Sequence, residues 1–145
     1  MPSVYDILMN KGNEVQSVDP SASAMDAIRK MNQHQIGALL VMDAGRVQGI
    51  FTERDVLRRV VGQDRSPAEM TVAEVMTKNV FCVDPATDLD EVSQIMKNRK
   101  VRHLPVCDSE GQLRGMISIG DVNAYHASHQ EATIHFLNEY IYGRA

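Results

Sequence analysis

The chain has 145 residues, enough for one compact domain or for two small units that share a core. Hydrophobic residues make up 43% and charged residues 23%, which excludes an intrinsically disordered chain. The formal net charge of -4 does not suit a general nucleic-acid binder, whose binding domain is usually strongly basic. Because no apolar run reaches the roughly 20 residues of a membrane-spanning helix, we expect no membrane span.

Residues 1–10 carry Asp6 and lack both a basic head and an apolar core, so they are not a secretory signal. The two cysteines, Cys82 and Cys107, form no CxxC motif and predict no disulfide framework. Both features favour a reducing cytoplasm as the location. The Gly-rich motifs of dinucleotide and NTP binding and the Gly-x-Ser-x-Gly hydrolase motif are absent, so we expect a protein that is not an enzyme.

The chain contains an internal repeat. Residues 15–20 are Val-Gln-Ser-Val-Asp-Pro, and residues 80–85 are Val-Phe-Cys-Val-Asp-Pro. The match continues along both copies and, after one inserted residue in the second, resumes at Gly45 and Gly111. A repeat of this length predicts two units of one fold that bury their apolar faces together.

Each copy predicts the element order β-α-β-β-α. The predicted strands are residues 15–18, 36–42 and 47–51 in the first copy and 80–83, 101–107 and 113–117 in the second. Asp-Pro ends the first strand of each copy, because proline cannot donate a ladder hydrogen bond. Capping-box patterns that begin at Ser23 and Asp88 predict the first helix of each copy. A second helix is predicted to begin near Glu53 or Gly120.

The two units are predicted to pack sheet to sheet about a pseudo-twofold axis, because a lone unit of this size leaves one sheet face exposed. The polar segment 62–67 indicates a linker, and residues 123–142 contain few helix breakers and predict a C-terminal helix. The prediction is an α/β (α+β) fold with repeat 1 at residues 1–65, repeat 2 at 71–127 and a helical tail at 128–145.

Each repeat ends in the motif Gly-h-h-[Thr/Ser]-x-x-Asp-h, where h is hydrophobic, at residues 49–56 and 115–122. Together with the repeated Val-x-x-Val-Asp-Pro segments, these motifs resemble a tandem pair of CBS domains, the cystathionine β-synthase regulatory repeat, which form a Bateman module. The resemblance covers residues 4–127 and includes no catalytic or transporter domain. It implies a stand-alone CBS-domain protein.

The resemblance implies an adenine nucleotide as effector, such as AMP, ADP, ATP, an NAD-type dinucleotide or S-adenosylmethionine, bound in a cleft between the repeats. A carboxylate at a helix start can accept hydrogen bonds from both ribose hydroxyls, which points to Asp55 and Asp121. A hydroxyl three residues earlier can donate to phosphate, which points to Thr52 and Ser118. The adenine would touch apolar strand residues such as Val18, Ile36, Val83 and Val101.

Basic residues predict where the phosphates would bind. Arg54 lies inside the first motif, and Arg102 and His103 occupy positions where family members often place phosphate-contacting residues. The first copy has a Gly-Ala pair at the equivalent place, so the two clefts should differ in charge. The loop at residues 10–14 is also longer than its counterpart, and the sequence leaves open which cleft binds more tightly.

Several of these residues also have a purely structural interpretation. The two aspartates and the two hydroxyl residues can be helix caps and nothing more. Arg58, Arg59 and Arg65 could form a phosphate clamp with Arg54, but a solvated helix face with ordinary ion pairs is the favoured interpretation of these three. The pattern His126-x-x-His129, with His135, has no Cys or acidic partner at a known spacing, so we expect no metal site.

We expect a homodimer, since CBS pairs resemble half-discs that associate through their helices, and twofold dimers are the commonest closed assembly. The module would report its effector to an unknown downstream protein by conformational or oligomeric change. The alternative is a structural or protein-interaction module without a small ligand. Its surface would be the apolar positions of the C-terminal helix, Ile134, Phe136, Leu137 and Ile141.

Overall fold

The structure, a computed structural model, describes residues 1–142, and within the last helix it does not describe the side chains of residues 131–133, 136 and 139–142. In chain order the elements are α1 (Val4–Lys11), β1 (Ser17–Val18), α2 (Ala24–His34), β2 (Ala38–Asp43), β3 (Arg46–Thr52), α3 (Glu53–Asp55), α4 (Val72–Val75), α5 (Leu89–Arg99), β4 (His103–Cys107), β5 (Leu113–Ser118) and α6 (Ile119–Tyr142). α3 continues into a π turn, Val56–Val60, and a 3-10 turn, Val61–Gln63, and Pro67–Glu69 forms another 3-10 turn.

Two small sheets carry the fold. β2 pairs parallel with β1 and antiparallel with β3, and β4 pairs antiparallel with β5. The prediction of a strand at residues 80–83 is wrong, because of these four residues only Val83 pairs, in one parallel bridge to Val106. Phe81 and Cys82 are exposed, and neither pairs with the sheet.

The predicted α+β fold and the helix at residues 123–142 are confirmed. The helix begins earlier than predicted, at Ile119, and so it joins the second helix of repeat 2 and the C-terminal helix into one element. Of the apolar positions predicted to face a partner, Phe136 and Ile141 lie outside the described side chains.

The sequence analysis missed the two short helices α1 and α4. Each begins with a capping box, in which Ser3 pairs with Asp6 and Thr71 pairs with Glu74. The backbone N–H of Ser3 donates to Asp6 at 2.8 Å, and that of Thr71 donates to Glu74 at 2.7 Å. Both caps follow the pattern Ser/Thr-x-x-acid ahead of apolar residues, so the signal was present in the sequence.

α1 packs on the second repeat although it precedes the first. Its residues Val4, Ile7 and Leu8 are buried in one core with Leu104 of β4 and Ile117 of β5. The N-terminal segment therefore closes the core of the other repeat. The domain boundaries stay predictions. α1 lies within residues 1–65, which were assigned to repeat 1, but it packs against repeat 2.

α4 takes the corresponding place on the first repeat. Val72 and Val75 are fully or almost fully buried in a second core with Leu39 of β2 and Phe51 of β3. Each sheet is thus covered on its outer side by one short capped helix.

A third apolar cluster joins the two sheets. It contains Ala38, Leu40 and Ile50 of the first sheet, with Leu113 and Met116 of the second packed against them. Burial of these side chains between the sheets provides the hydrophobic free energy that holds the repeats together. The predicted packing of sheet on sheet is confirmed.

The motif glycines allow each short helix segment to approach its sheet. A Cβ built on Gly49 would lie 2.6 Å from the carbonyl oxygen of Thr77, and one on Gly115 would lie 2.9 Å from Cδ2 of Leu8. Both distances are too short for a non-bonded contact. The glycine of the Gly-h-h-[Thr/Ser] motif is therefore required by packing, independently of any ligand.

Gly49→Ala should lower the free energy of unfolding by about 1–3 kcal/mol, because the added methyl group meets a backbone carbonyl that has little room to shift. Gly120→Ala is the matched control, since the nearest atom to its Cβ is Oγ of Ser118 at 3.5 Å and alanine favours the helix. Equilibrium urea denaturation measures both variants. A wild-type midpoint for Gly49→Ala would contradict this packing.

Candidate functional site

A cavity of about 370 Å³ opens where the end of the first repeat faces the start of β4 in the second. This volume is in the range of small-molecule binding sites. Six basic side chains line it, Arg54, Arg58, Arg59, Arg99, Lys100 and Arg102, against two acidic ones, Glu53 and Asp55. We call this cavity, defined by these eight residues with Thr52, Thr77, Ile50, Val101, Gly37 and His103, the basic cleft.

Most of these cations have no carboxylate partner. In the described part of the chain Arg59 forms an ion pair with Asp55, at 3.5 Å, and the other five basic side chains of the basic cleft form none. Like charges held together without counterions repel one another and attract anions. The basic cleft is therefore a concentrated positive site on a chain of net charge -4.

Asp55 is the buried charge of the basic cleft, with 6% of its surface exposed. The backbone N–H of Thr52 donates to its Oδ2 at 2.9 Å, and the hydroxyl of Thr77 donates to its Oδ1 at 3.0 Å. Thr52 and Asp55 form a capping box at the start of α3, so the capping role left open above is confirmed.

The second repeat supplies the opposite wall. α5 ends at Lys100 in the left-handed conformation, with φ of 57°, and this turn leads the chain through Arg102 to His103 on the cleft wall. Burial lowers the pKa of His103, and the ammonium of Lys11 lowers it further, so the imidazole is neutral at pH 7. His103 can therefore donate or accept a hydrogen bond without adding charge.

The sequence analysis found Arg54, Arg102 and His103 but missed two other basic residues of the second repeat. Arg99 and Lys100 line the basic cleft, and the run Arg99-Lys100-x-Arg102 was the signal in the sequence. The guanidinium of Arg99 lies 4.4 Å from the ring centroid of Phe81, a cation–π contact that holds it beside the opening.

Ser118 and Asp121 repeat the geometry of Thr52 and Asp55 but do not line the basic cleft. The N–H of Ser118 donates to Oδ2 of Asp121 at 2.9 Å, and Nζ of Lys11 lies 2.7 Å from the same oxygen. Burial raises the pKa of Asp121, but Lys11 and Ser118 together outweigh it, so the net pKa lies below its usual value.

The structure does not bring the four predicted adenine-contacting residues together. Val101 lines the basic cleft, where Ile50 of β3 adds a second apolar side chain. Val18 and Ile36 pack against the core of the first repeat, and Val83 is buried in the core of the second.

Burial, and to a smaller extent the neighbouring Cys82, raise the pKa of Cys107 to about 12. Cys107 is therefore a thiol at neutral pH and a poor nucleophile.

In the described part of the chain, no three His, Cys, Asp or Glu residues are placed to hold a metal ion. His129, one of the histidines considered for a metal site, has Tyr125 stacked on its ring, with ring centroids 5.1 Å apart.

Within residues 1–142, no helix has both the length and the apolar character needed to cross a membrane.

The family model of the CBS domain matches this chain twice, at residues 4–62 and 72–127. The chain belongs to the CBS-domain family. The resemblance inferred from the repeated motifs is thereby confirmed, and both matches include a Gly-h-h-[Thr/Ser]-x-x-Asp segment, one at the basic cleft and one at Asp121.

The alignments with two curated relatives cover most of the length of each relative. The chain is 33% identical over 150 residues to the mitochondrial CBS domain-containing protein CBSX3 of Arabidopsis thaliana, covering 97% of this chain and 72% of that protein. It is 31% identical over 132 residues to the CBS domain-containing protein YhcV of Bacillus subtilis, covering 91% of each. The match thus covers most of the length of both of these CBS domain-containing proteins.

Solved structures share the fold. A protein with CBS domains from Burkholderia ambifaria superposes with a TM-score of 0.85 at 40% identity, covering 89% of this chain and 96% of that one. A CBS-domain containing protein from Agrobacterium tumefaciens gives a TM-score of 0.82 at 40% identity, covering 86% and 99%.

His103→Gln should flatten the pH dependence of stability between pH 7 and pH 5. The folded-state pKa of His103 lies below its unfolded value of about 6.5, so the unfolded state takes up the proton first and stability falls as the pH drops below that value. Urea denaturation at several pH values measures the slope. His34→Gln, at an exposed site on α2, is the control and should keep the wild-type slope.

Proposed function

We propose that this protein is a regulatory module that binds an adenosine-containing nucleotide in the basic cleft. The observation that carries the proposal is the set of six basic side chains, five of them without a carboxylate partner in the described residues, around a cavity of about 370 Å³. Family membership implies the adenosine part, and the charge of the cleft argues for a phosphate chain. The proposal includes no catalytic step.

Each wall of the basic cleft would have its own task. Asp55 would accept hydrogen bonds from the ribose hydroxyls. These would replace the hydrogen bond that the Thr77 hydroxyl donates to Asp55 in this structure. Arg54 from the first repeat and Arg102 from the second would contact the phosphates, because the planar guanidinium matches phosphate oxygens. Val101 would pack against the adenine.

The charge of the cleft also ranks the candidate nucleotides. Each added phosphate brings negative charge to cations that otherwise repel one another, so affinity should rise from AMP to ADP to ATP. NAD carries less charge per molecule than ATP and should bind more weakly. S-adenosylmethionine carries a positive sulfonium and no phosphate, and the cleft should disfavour it.

A thermal-shift and calorimetric titration with AMP, ADP, ATP, NAD and S-adenosylmethionine tests the proposal. A ligand at about 100 times its Kd should stabilise the protein by roughly 2.7 kcal/mol, which raises the melting temperature measurably. Adenosine without phosphate is the control ligand. If no nucleotide binds to protein free of co-purified ligand, the proposed function is wrong.

Arg102→Ala should weaken ATP binding by roughly 10-fold. A hydrogen bond between charged groups contributes about 1.5–3 kcal/mol, and the exposure of Arg102 to solvent places its effect at the low end. Arg29→Ala removes the same charge from an exposed site on α2 outside the cleft and should leave the affinity within about twofold. Equal losses in both variants would indicate a general charge effect and contradict the site.

A protein-interaction surface on α6 is the second candidate function. Ile134 and Leu137 are large apolar side chains that are 58% and 46% exposed. We propose that they contribute to a homodimer, whose rearrangement would report the nucleotide to a downstream protein target. Burial of such residues between two copies removes apolar surface from water.

Ile134→Asp should weaken dimerisation while the affinity for ATP stays within about twofold of wild type, because the basic cleft does not include α6. Ser128→Asp places the same charge on an exposed position of α6 and serves as the control. Sedimentation equilibrium measures the association of both variants. Unchanged association for Ile134→Asp would remove this surface from the dimer interface.

A further inference from the structure

The two repeats hold their aspartates in the same way. In the first, the N–H of Thr52 donates to Asp55 at 2.9 Å, and in the second, the N–H of Ser118 donates to Asp121 at 2.9 Å. The hydroxyl of Ser118 in turn accepts from the N–H of Asp121 at 3.0 Å. Each repeat therefore presents one oriented carboxylate. Asp121, however, lines neither the basic cleft nor a second cavity, which lies between residues 46–47, 82–84 and 107–111.

The carboxylate of Asp121 already has an internal donor. Nζ of Lys11 donates to Oδ2 of Asp121 at 2.7 Å and to the backbone carbonyl of Met116 at 2.7 Å. An ammonium donates hydrogen bonds to a carboxylate just as a pair of ribose hydroxyls would. Lys11 therefore occupies, from within the chain, one of the two carboxylate oxygens that a ribose would use at this position.

The packing of α1 places Lys11 there. Ile7 and Leu8 are buried in the core of the second repeat, and Lys11 follows Ile7 by one helical turn on the same face. The helix ends directly afterwards at Gly12. The N–H of Gly12 donates to the carbonyl of Leu8, and its φ of 93° turns the chain out of the helix. The long side chain is thus aimed at β5 and the start of α6.

The first repeat differs at this point. Its short helix α4 ends at Val75, and the chain then runs extended so that Thr77 pairs with Ile50 of β3. In this segment the hydroxyl of Thr77 donates to Asp55 at 3.0 Å, and the cation paired with Asp55, at 3.5 Å, is Arg59, four residues along the chain. A threonine is too small to fill the cleft, and the cavity beside Asp55 stays open.

We propose that Lys11 acts as an intramolecular competitor that occupies the ribose position at Asp121, so that the chain binds one nucleotide, at Asp55. This inference rests on the proposed function. It identifies which of the two clefts is used, and it makes Lys11 of α1, together with the different charges of the two repeats, the source of the asymmetry. Removal of the Lys11 ammonium frees Asp121 to accept a ligand.

The test is the number of ATP molecules bound per chain, measured by equilibrium dialysis with the full-length protein at ATP concentrations up to the millimolar range. Wild type should bind one and Lys11→Ala two. Lys97→Ala removes an exposed lysine of α5 that lines neither cavity, and it should still bind one. If Lys11→Ala loses its cooperative melt, Lys11→Met, which keeps the aliphatic stem, replaces it.

A double variant locates the new site. Asp55→Asn with Lys11→Ala should bind one ATP, and adding Asp121→Asn should abolish that binding. One ATP bound by both wild type and Lys11→Ala, two bound by wild type, or weaker binding by Lys11→Ala would each overturn the inference while the proposed function stands. No ATP bound by wild type would overturn both the proposed function and the inference.

Discussion

The burial of α1 in the core of the second repeat is the interaction on which the rest of the structure depends. Val4, Ile7 and Leu8 are exposed by no more than 6% of their surface, and they complete a core that α5, β4 and β5 leave open. Because α1 precedes the first repeat in the chain, this packing ties the two repeats together independently of the seam between the sheets. It also favours Gly115, since a Cβ there would lie 2.9 Å from Cδ2 of Leu8, and that side chain would have to shift.

The two repeats share their backbone arrangement and differ in their side chains. Both motifs cap their helices through the same hydrogen bonds, and both glycines accept a short helix. The helix after the first motif, however, carries Arg58 and Arg59, where the second repeat has Ala124 and Tyr125. The positive charge is therefore concentrated at one of two equivalent places, and this difference, rather than the shared motif, distinguishes the two clefts.

Most of the fold could be predicted from the sequence, because each element occurs twice and both copies show the same pattern. The prediction failed where tertiary contacts, and not the local pattern, decide the structure. Residues 80–83 have strand-like composition, but Phe81 and Cys82 face solvent and the segment contributes a single bridge through Val83. The place of Lys11 could not be predicted, because nothing local indicates that α1 crosses to the other repeat and reaches Asp121.

The basic cleft would also give the proposed nucleotide a way to report its binding. Arg54, Arg58 and Arg59 belong to the first repeat, and Arg99, Lys100 and Arg102 to the second, so the charge repulsion in the unliganded cleft acts across the boundary between repeats. A bound polyphosphate turns that repulsion into attraction to a shared anion. Its affinity then depends on how closely the two walls approach, which is the differential affinity that a conformational response requires.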